Sequence, residues 1–442
     1  MRIGENPLAR RICSAVRRLR SDQRGSVAIM AGLFLAAFGA MVGLVIQEAM
    51  IYRTQRALQA STTLAALAGA QDINTGKAGT AITMANVYSA LNPISGQTVT
   101  MASGYPMLKC LKSTGVPCSG PDSANAIVVK QQADMSLVFG HLFGAANTTI
   151  TATATAGMKG GSGKSLDVML IVDTTASMNN ADSNCSVSKA TRITCAMAGA
   201  RALLQGFQPS QVQVGLMLFP GVTNSSQVPY EYDCATSPAP TIAKYNASPV
   251  YQIIGLSTDY KTSDTTSSLN TSSNLLRTLQ GGPSGCQQGV AAIGGVGTYY
   301  ADVITAAQTA LTTNGRTGVQ KVIIFLSDGD ASASASNVPT GKATNQCHQG
   351  ITAAQAATSA GTWVYTAAYG AATSATSSCS TDSPRIDACS TLQQMASTPA
   401  MFFSDGATSC TSTVNQSAEL VTLFTNIGTS LTPARLLPNN TM

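Results

Sequence analysis

No charged residue occurs between Gly25 and Gln47, and inside that window Ser26 to Ile46 is a predominantly apolar run of 21 residues. At about 1.5 Å per residue a helix of that length reaches about 31 Å, the thickness of a bilayer's hydrocarbon core. A buried helix of a soluble domain is usually shorter, and the apolar part of a cleaved leader is usually about 7 to 15 residues. The first small-x-small triplet downstream, Ala68-Gly69-Ala70, lies more than 20 residues past the run, too far for a leader-peptidase site. Residues 25–47 are therefore expected to form a retained transmembrane helix. Seven arginines (Arg2, Arg10, Arg11, Arg17, Arg18, Arg20 and Arg24) stand on its N-terminal side, against Glu5 and Asp22. The positive-inside rule then makes residues 1–24 a cytoplasmic basic tail and puts the chain beyond Gln47 on the other side.

That tail holds five of the six net positive charges of the 442-residue chain, so the other 418 residues are almost neutral. A nucleic-acid binder needs basic residues on its folded surface to neutralise phosphates, and this chain does not supply them there. Charged residues amount to 10%, against about 25% for an average soluble domain, and Ser, Thr, Ala and Asn take their place, as suits an envelope or extracellular protein. Of 11 cysteines, Cys13 lies in the tail and ten lie outside, an even number consistent with five disulfides in an oxidising compartment. Nearest-neighbour pairing gives Cys110–Cys118, Cys185–Cys195, Cys234–Cys286 and Cys379–Cys389, leaving Cys347–Cys410, one connectivity among many that the sequence allows. Zinc is not expected, because there is no Cys-x-x-Cys and the only histidines are His141 and His348.

Beyond the apolar run, EAMIYRTQRALQASTTLAALAGAQD has no Gly or Pro before Gly69, which predicts that the helix continues without a break. Ile51, Leu58 and Ala65 recur every seven residues as a stripe for a partner or for the following domain, unless the segment is a plain Ala-rich stalk. Residues 48–157 read as this stalk plus a small α+β region, with β-rich AIVVKQQADMSL and TTITATATAGM, and residues 158–165 as a linker. The linker's Gly160-Gly161-Ser162-Gly163-Lys164-Ser165 superficially suggests a phosphate loop, but it precedes a strand instead of joining strand to helix.

Residues 166–431 alternate apolar strands (166–173, 212–219, 321–328, 362–369 and 401–405) with helical segments near 188–207, 300–313, 349–360, 384–397 and 417–431. Continuous apolar strands alternating with helices indicate a doubly wound, mostly parallel α/β sheet whose ligands sit at the carboxyl ends of its strands. Residues 221–297 interrupt the rhythm and are expected to be an insertion with at least one strand, such as an antiparallel edge; residues 432–442 read as a tail.

The first strand ends in Asp173-Thr174-Thr175-Ala176-Ser177, whose alternate side chains can present three oxygens to one point, and a later strand ends in Asp328. Thr298, before a predicted helix, offers another hydroxyl. Oxygen donors of this kind suit Mg²⁺ or Mn²⁺. The bland reading of the same residues is helix capping and loop bonding. The run resembles the von Willebrand factor A-type domain with its metal-ion-dependent adhesion site, whose pattern is Asp-x-Ser-x-Ser, a threonine from a later loop and a strand-ending Asp. The resemblance implies metal ligation by Asp173, Thr175, Ser177, Thr298 and Asp328, with Thr175 in place of the usual first serine.

Independently, RRLRSDQRGSVAIM, the membrane run and LQASTTLAALAGA resemble the N-terminus of TadG-like proteins of the tight-adherence (Flp) pilus-assembly system. That resemblance implies a bacterial, single-pass inner-membrane protein exposed to the periplasm or exterior, whose partners are pilus-assembly or other envelope proteins that offer a carboxylate to the metal. Two alternatives stay open: a surface adhesin with an external ligand, and a metal-free A-type scaffold. Catalysis is not expected, since the two histidines fall in different regions and no triad motif accompanies them.

Overall fold

The computed structural model describes residues 24–73, 78–111, 124–137, 140, 144, 146–157, 165–223, 241–280, 289–371, 377–431 and 434–437, except for positions 186, 188–189, 265, 267, 293, 407–408 and 413–414. Residues 1–23 of the basic tail, nearly all of the proposed linker, His141 and the cysteines Cys13, Cys118, Cys234 and Cys286 lie outside the described residues. The chain divides into two compact units.

The first unit comprises Met1–Lys109, Ala126–Ala156 and Leu436–Met442. Its α1 (Arg24–Asp72) is one continuous 49-residue helix, followed by α2 (Ala78–Leu91). Among the described residues, α1 is the one helix long and apolar enough to cross a membrane. Its two halves differ. Leu33, Phe34, Leu35 and Phe38 are all more than 60% exposed, whereas Leu58 and Ala65 are fully buried. The seven-residue stripe thus turns to the unit's own sheet, where Leu58 packs with Ala133, Met135, Ile150 and Ala152, and Ile51 lies against the same cluster.

That sheet is formed by β1 (Thr98–Met101), β2 (Met107–Lys109), β3 (Ala126–Ser136), β4 (Asn147–Gly157) and β11 (Arg435–Leu437). Its order is β1-β3-β4-β11, with β2 also paired to β3, and both β1 and β2 run antiparallel to β3. The segment expected to be a tail therefore contributes a strand beside β4. Gln131 is fully buried in β3; its carbonyl accepts from Thr62 Oγ1 at 2.7 Å and its amide donates to Ser89 Oγ at 2.5 Å, so the buried amide is satisfied by both helices.

The second unit comprises Cys110–Asn125 and Gly157–Arg435. Its strands are β5 (Leu166–Asp173), β6 (Val212–Val222), β7 (Val250–Ser257), β8 (Gln320–Ser327), β9 (Trp363–Ala368) and β10 (Phe402–Ser404). Its helices are α3 (Arg192–Gly206), α4 (Asn274–Gln280), α5 (Ala301–Asn314), α6 (Gln346–Ser359), α7 (Ala388–Met395) and α8 (Leu420–Leu431). The sheet order is β10-β9-β8-β5-β6-β7. All pairings are parallel except β6 with β7, which is antiparallel and puts a strand of the predicted insertion at the edge.

All eight residues of β5 are buried, because both faces of the central strand are covered. Val168, Leu170 and Val172 join the core beneath α3 and α8, while Met169 and Ile171 join the core beneath α5, α6 and α7. This is why β5 reads as a continuous apolar run and does not alternate. From β5 the chain proceeds to β6 on one side, and from β8 to β9 on the other. The crevice between the carboxyl ends of β5 and β8 is therefore the sheet's topological switch point, where doubly wound proteins bind ligands.

Three disulfides join described cysteines: Cys185–Cys195, Cys347–Cys379 and Cys389–Cys410. Cys185–Cys195 matches the nearest-neighbour expectation, whereas Cys379–Cys389 and Cys347–Cys410 are replaced. The exchange follows from packing: the first turn of α6 brings Cys347 to the short 3-10 turn at Ser378–Thr381, and Cys389, in the first turn of α7, meets the chain emerging from β10. Cys110 is also disulfide-bonded.

Candidate metal centre

Asp173 closes β5 and is fully buried. The chain then leaves the sheet through the 3-10 turn Ala176–Asn179, and the Thr175 backbone N–H and Oγ1 both donate to Asp173 Oδ1, at 2.8 and 2.7 Å. Thr175 Oγ1 lies 3.1 Å from Ser177 Oγ, which donates to Asp328 Oδ1 at 2.7 Å. Asp328 follows β8 directly, and Ser327 Oγ, the last hydroxyl of that strand, donates to Asp173 Oδ2 at 2.6 Å. Four of the five expected ligands are thus joined in one line of oxygens across the switch point.

Thr298 stands apart from that line. It is buried before α5, and its carbonyl accepts from the N–H groups of Ser332 and Ala333 at 2.9 and 3.1 Å. Among the described residues its hydroxyl makes no hydrogen bond to the other four. The loop that carries it does reach the site, since Gly294 N–H donates to the Thr174 carbonyl at 3.0 Å. A Cβ at position 294 would lie 2.9 Å from the Thr175 Cα, so only glycine allows that approach.

Electrostatics bear on what the line of oxygens can hold. Burial first, and then the charge of Asp328, push the Asp173 carboxyl from 3.8 up to about 7, although the hydrogen bonds from Ser327 and Thr175 pull the other way. A cation bound beside Asp173 would favour its ionised form and offset both effects. The donor set is all oxygen, two carboxylates and two hydroxyls, which suits a hard divalent ion; the three successive separations, 2.7, 3.1 and 2.7 Å, are those of the hydrogen bonds that link the four side chains.

One partner was not anticipated from the sequence. Arg192, the first residue of α3, donates from Nη1 to Asp328 Oδ2 at 2.7 Å. The only sign in the sequence is a basic residue at a helix start, where the helix dipole disfavours it. A second cluster, Asp182, Cys185 and Cys195, has metal-like proximity, but its two sulfurs are joined to each other, which removes the thiolates. Of the histidines, His348 is held by Asp382 through its backbone N–H and Nδ1, at 3.0 and 2.9 Å.

By sequence, the chain matches no protein-family model and no curated protein. Among solved structures it is similar to the pilus adhesin SpaC of Lactobacillus rhamnosus GG, at 13% identity and a TM-score of 0.40 over 72% of this chain and 36% of that one. It is also similar to the vWF domain of the type V pili tip protein Mfa5 of Porphyromonas gingivalis, at 14% identity and a TM-score of 0.35 over 61% of this chain and 95% of that one. A third is manganese-loaded TRAP protein of Plasmodium vivax, at 11% identity and a TM-score of 0.30 over 62% of this chain and 78% of that one. The chain thus spans about a third of the length of SpaC. The sheet order and the antiparallel edge give the second unit a doubly wound, mostly parallel α/β architecture.

Proposed function

We propose that this chain is a membrane-anchored envelope protein of tight-adherence (Flp) type pilus assembly that binds partner proteins through a metal-ion-dependent adhesion site and does no covalent chemistry. The observation that carries the binding reading is the line of oxygens from Asp173 through Thr175 and Ser177 to Asp328 at the switch point of the sheet. Mg²⁺ or Mn²⁺ held there would keep a coordination position for a partner's carboxylate, because Mg²⁺ retains exchangeable water when its protein ligands are few. The Arg-rich N-terminus and the exposed apolar half of α1 support an inner-membrane anchor with the N-terminus in the cytoplasm and the bulk of the chain in the periplasm or outside.

The test is metal-dependent capture of partners by cross-linking in intact cells. D173N is expected to abolish capture while leaving the fold intact, because the amide keeps the volume of the buried side chain and an oxygen to accept from Thr175 or Ser327. Pilus-system proteins in the cross-linked product support the assembly reading, and extracellular matrix molecules would replace it with that of a surface adhesin. A metal-free scaffold is the second reading, favoured by the Arg192–Asp328 pair, which already supplies one carboxylate with a cation. No heat and no thermal shift on adding Mg²⁺ or Mn²⁺ to the wild-type protein would select it.

A further inference from the structure

The Asp328 side chain is fully buried and both of its oxygens are engaged, Oδ1 by Ser177 and Oδ2 by Arg192, each at 2.7 Å. Arg192 reaches it from the rim, with its side chain 24% exposed. The position is tightly fixed. Thr191 and Thr194 form a capping box around the start of α3, and Cys195 ties the same turn to Cys185. Room is also reserved for the guanidinium. Gly370 has φ +70°, and a Cβ there would lie 2.5 Å from Arg192 Nη2. A cation in the first turn of a helix opposes the helix dipole, so this arginine serves Asp328 and not its own helix.

We infer that Arg192 sets the charge of the metal centre, weakening its hold on the divalent ion and strengthening its attraction for a partner's carboxylate. The inference rests on the metal reading above. Two ionised carboxylates alone would leave a divalent ion neutralised, with no net charge to draw an anion toward its open coordination position. With Arg192 beside them the loaded centre carries one net positive charge, and the same charge repels the ion on entry. The two effects have opposite signs, which a purely structural role for Arg192 would not produce.

The experiment uses the full chain in non-ionic detergent micelles, with Mn²⁺ as the probe ion and acetate as the probe carboxylate. Mn²⁺ binding is read from the loss of the free-ion electron-spin signal, and acetate binding from broadening of its methyl line on the Mn²⁺-loaded protein. R192Q is expected to bind Mn²⁺ about tenfold more tightly and acetate about tenfold more weakly than wild type, while R192K keeps the charge and both wild-type affinities. R192M provides the same neutralisation if R192Q lacks a wild-type thermal transition. Mn²⁺ binding to R192Q that is unchanged or weaker, beside a wild type that binds, overturns the role of Arg192 and leaves the metal reading standing. If neither protein takes up Mn²⁺, the metal reading itself falls and this inference falls with it. Binding by R192Q alone supports the inference, with the arginine excluding the ion.

Discussion

Asp173 and Asp167 occupy the two ends of β5 and solve opposite problems. Without a cation, burial and the charge of Asp328 push the Asp173 carboxyl from its ordinary 3.8 up to about 7 in the folded chain. Because the folded value is raised, this residue's contribution to stability is complete below about pH 4 and is lost as pH rises through about 7. The melting temperature of the metal-free protein should therefore fall from about pH 4 to about pH 8 more steeply in wild type than in D173N. Parallel curves would contradict that environment, and Mg²⁺ or Mn²⁺ should reverse the wild-type fall. Asp167, equally buried, has its cations built in, with Lys321 Nζ at 2.6 Å and Arg316 Nε at 2.8 Å. D167A strands those cations and should cost about 3–5 kcal/mol, read as a lower denaturant midpoint. Asp173, Thr175, Ser177 and Asp328 were legible in the sequence because each sits at or just after the end of an apolar strand. Arg192 was not, since it meets Asp328 136 positions away along the chain and nothing local marks such a contact.

Strand β5 has the boundaries expected from the sequence, and β6, β8, β9 and β10 overlap their predicted spans, because five-to-eight-residue apolar runs between helices admit few other placements. Cysteine pairing was legible in this way only for Cys185–Cys195. It is decided by which helix ends meet, and that is a tertiary matter. Peptide mapping under non-reducing conditions should recover Cys347–Cys379 and Cys389–Cys410, and recovery of Cys379–Cys389 would refute the packing of α6 and α7 described above. In the first unit, the seven-residue stripe on α1 marked a contact surface without saying what it touched. Leu58, fully buried against β3 and β4, now identifies it. L58A should lower stability by about 2–5 kcal/mol in a thermal melt, whereas the exposed Leu64 one face away should tolerate alanine with little change.

At the scale of the whole chain, the doubly wound plan followed from the alternation of runs after Ser165, and the long helix from its composition. The strand at Arg435–Leu437 was not visible, because three residues carry no period to read. Membrane orientation is argued from arginine placement alone and has a direct test. An alkaline phosphatase fused after residue 160 should be active and one fused at residue 20 inactive, and the reverse pattern would invert the proposed localisation. The unbroken course of α1 has one mechanical consequence. A helix of 49 residues is about 74 Å long, and its hydrogen-bond ladder continues from the exposed apolar half into the half clamped on the first unit's sheet. A pull or twist on that sheet is therefore carried along a single stiff shaft to the apolar half, with no slack joint between them to absorb the load.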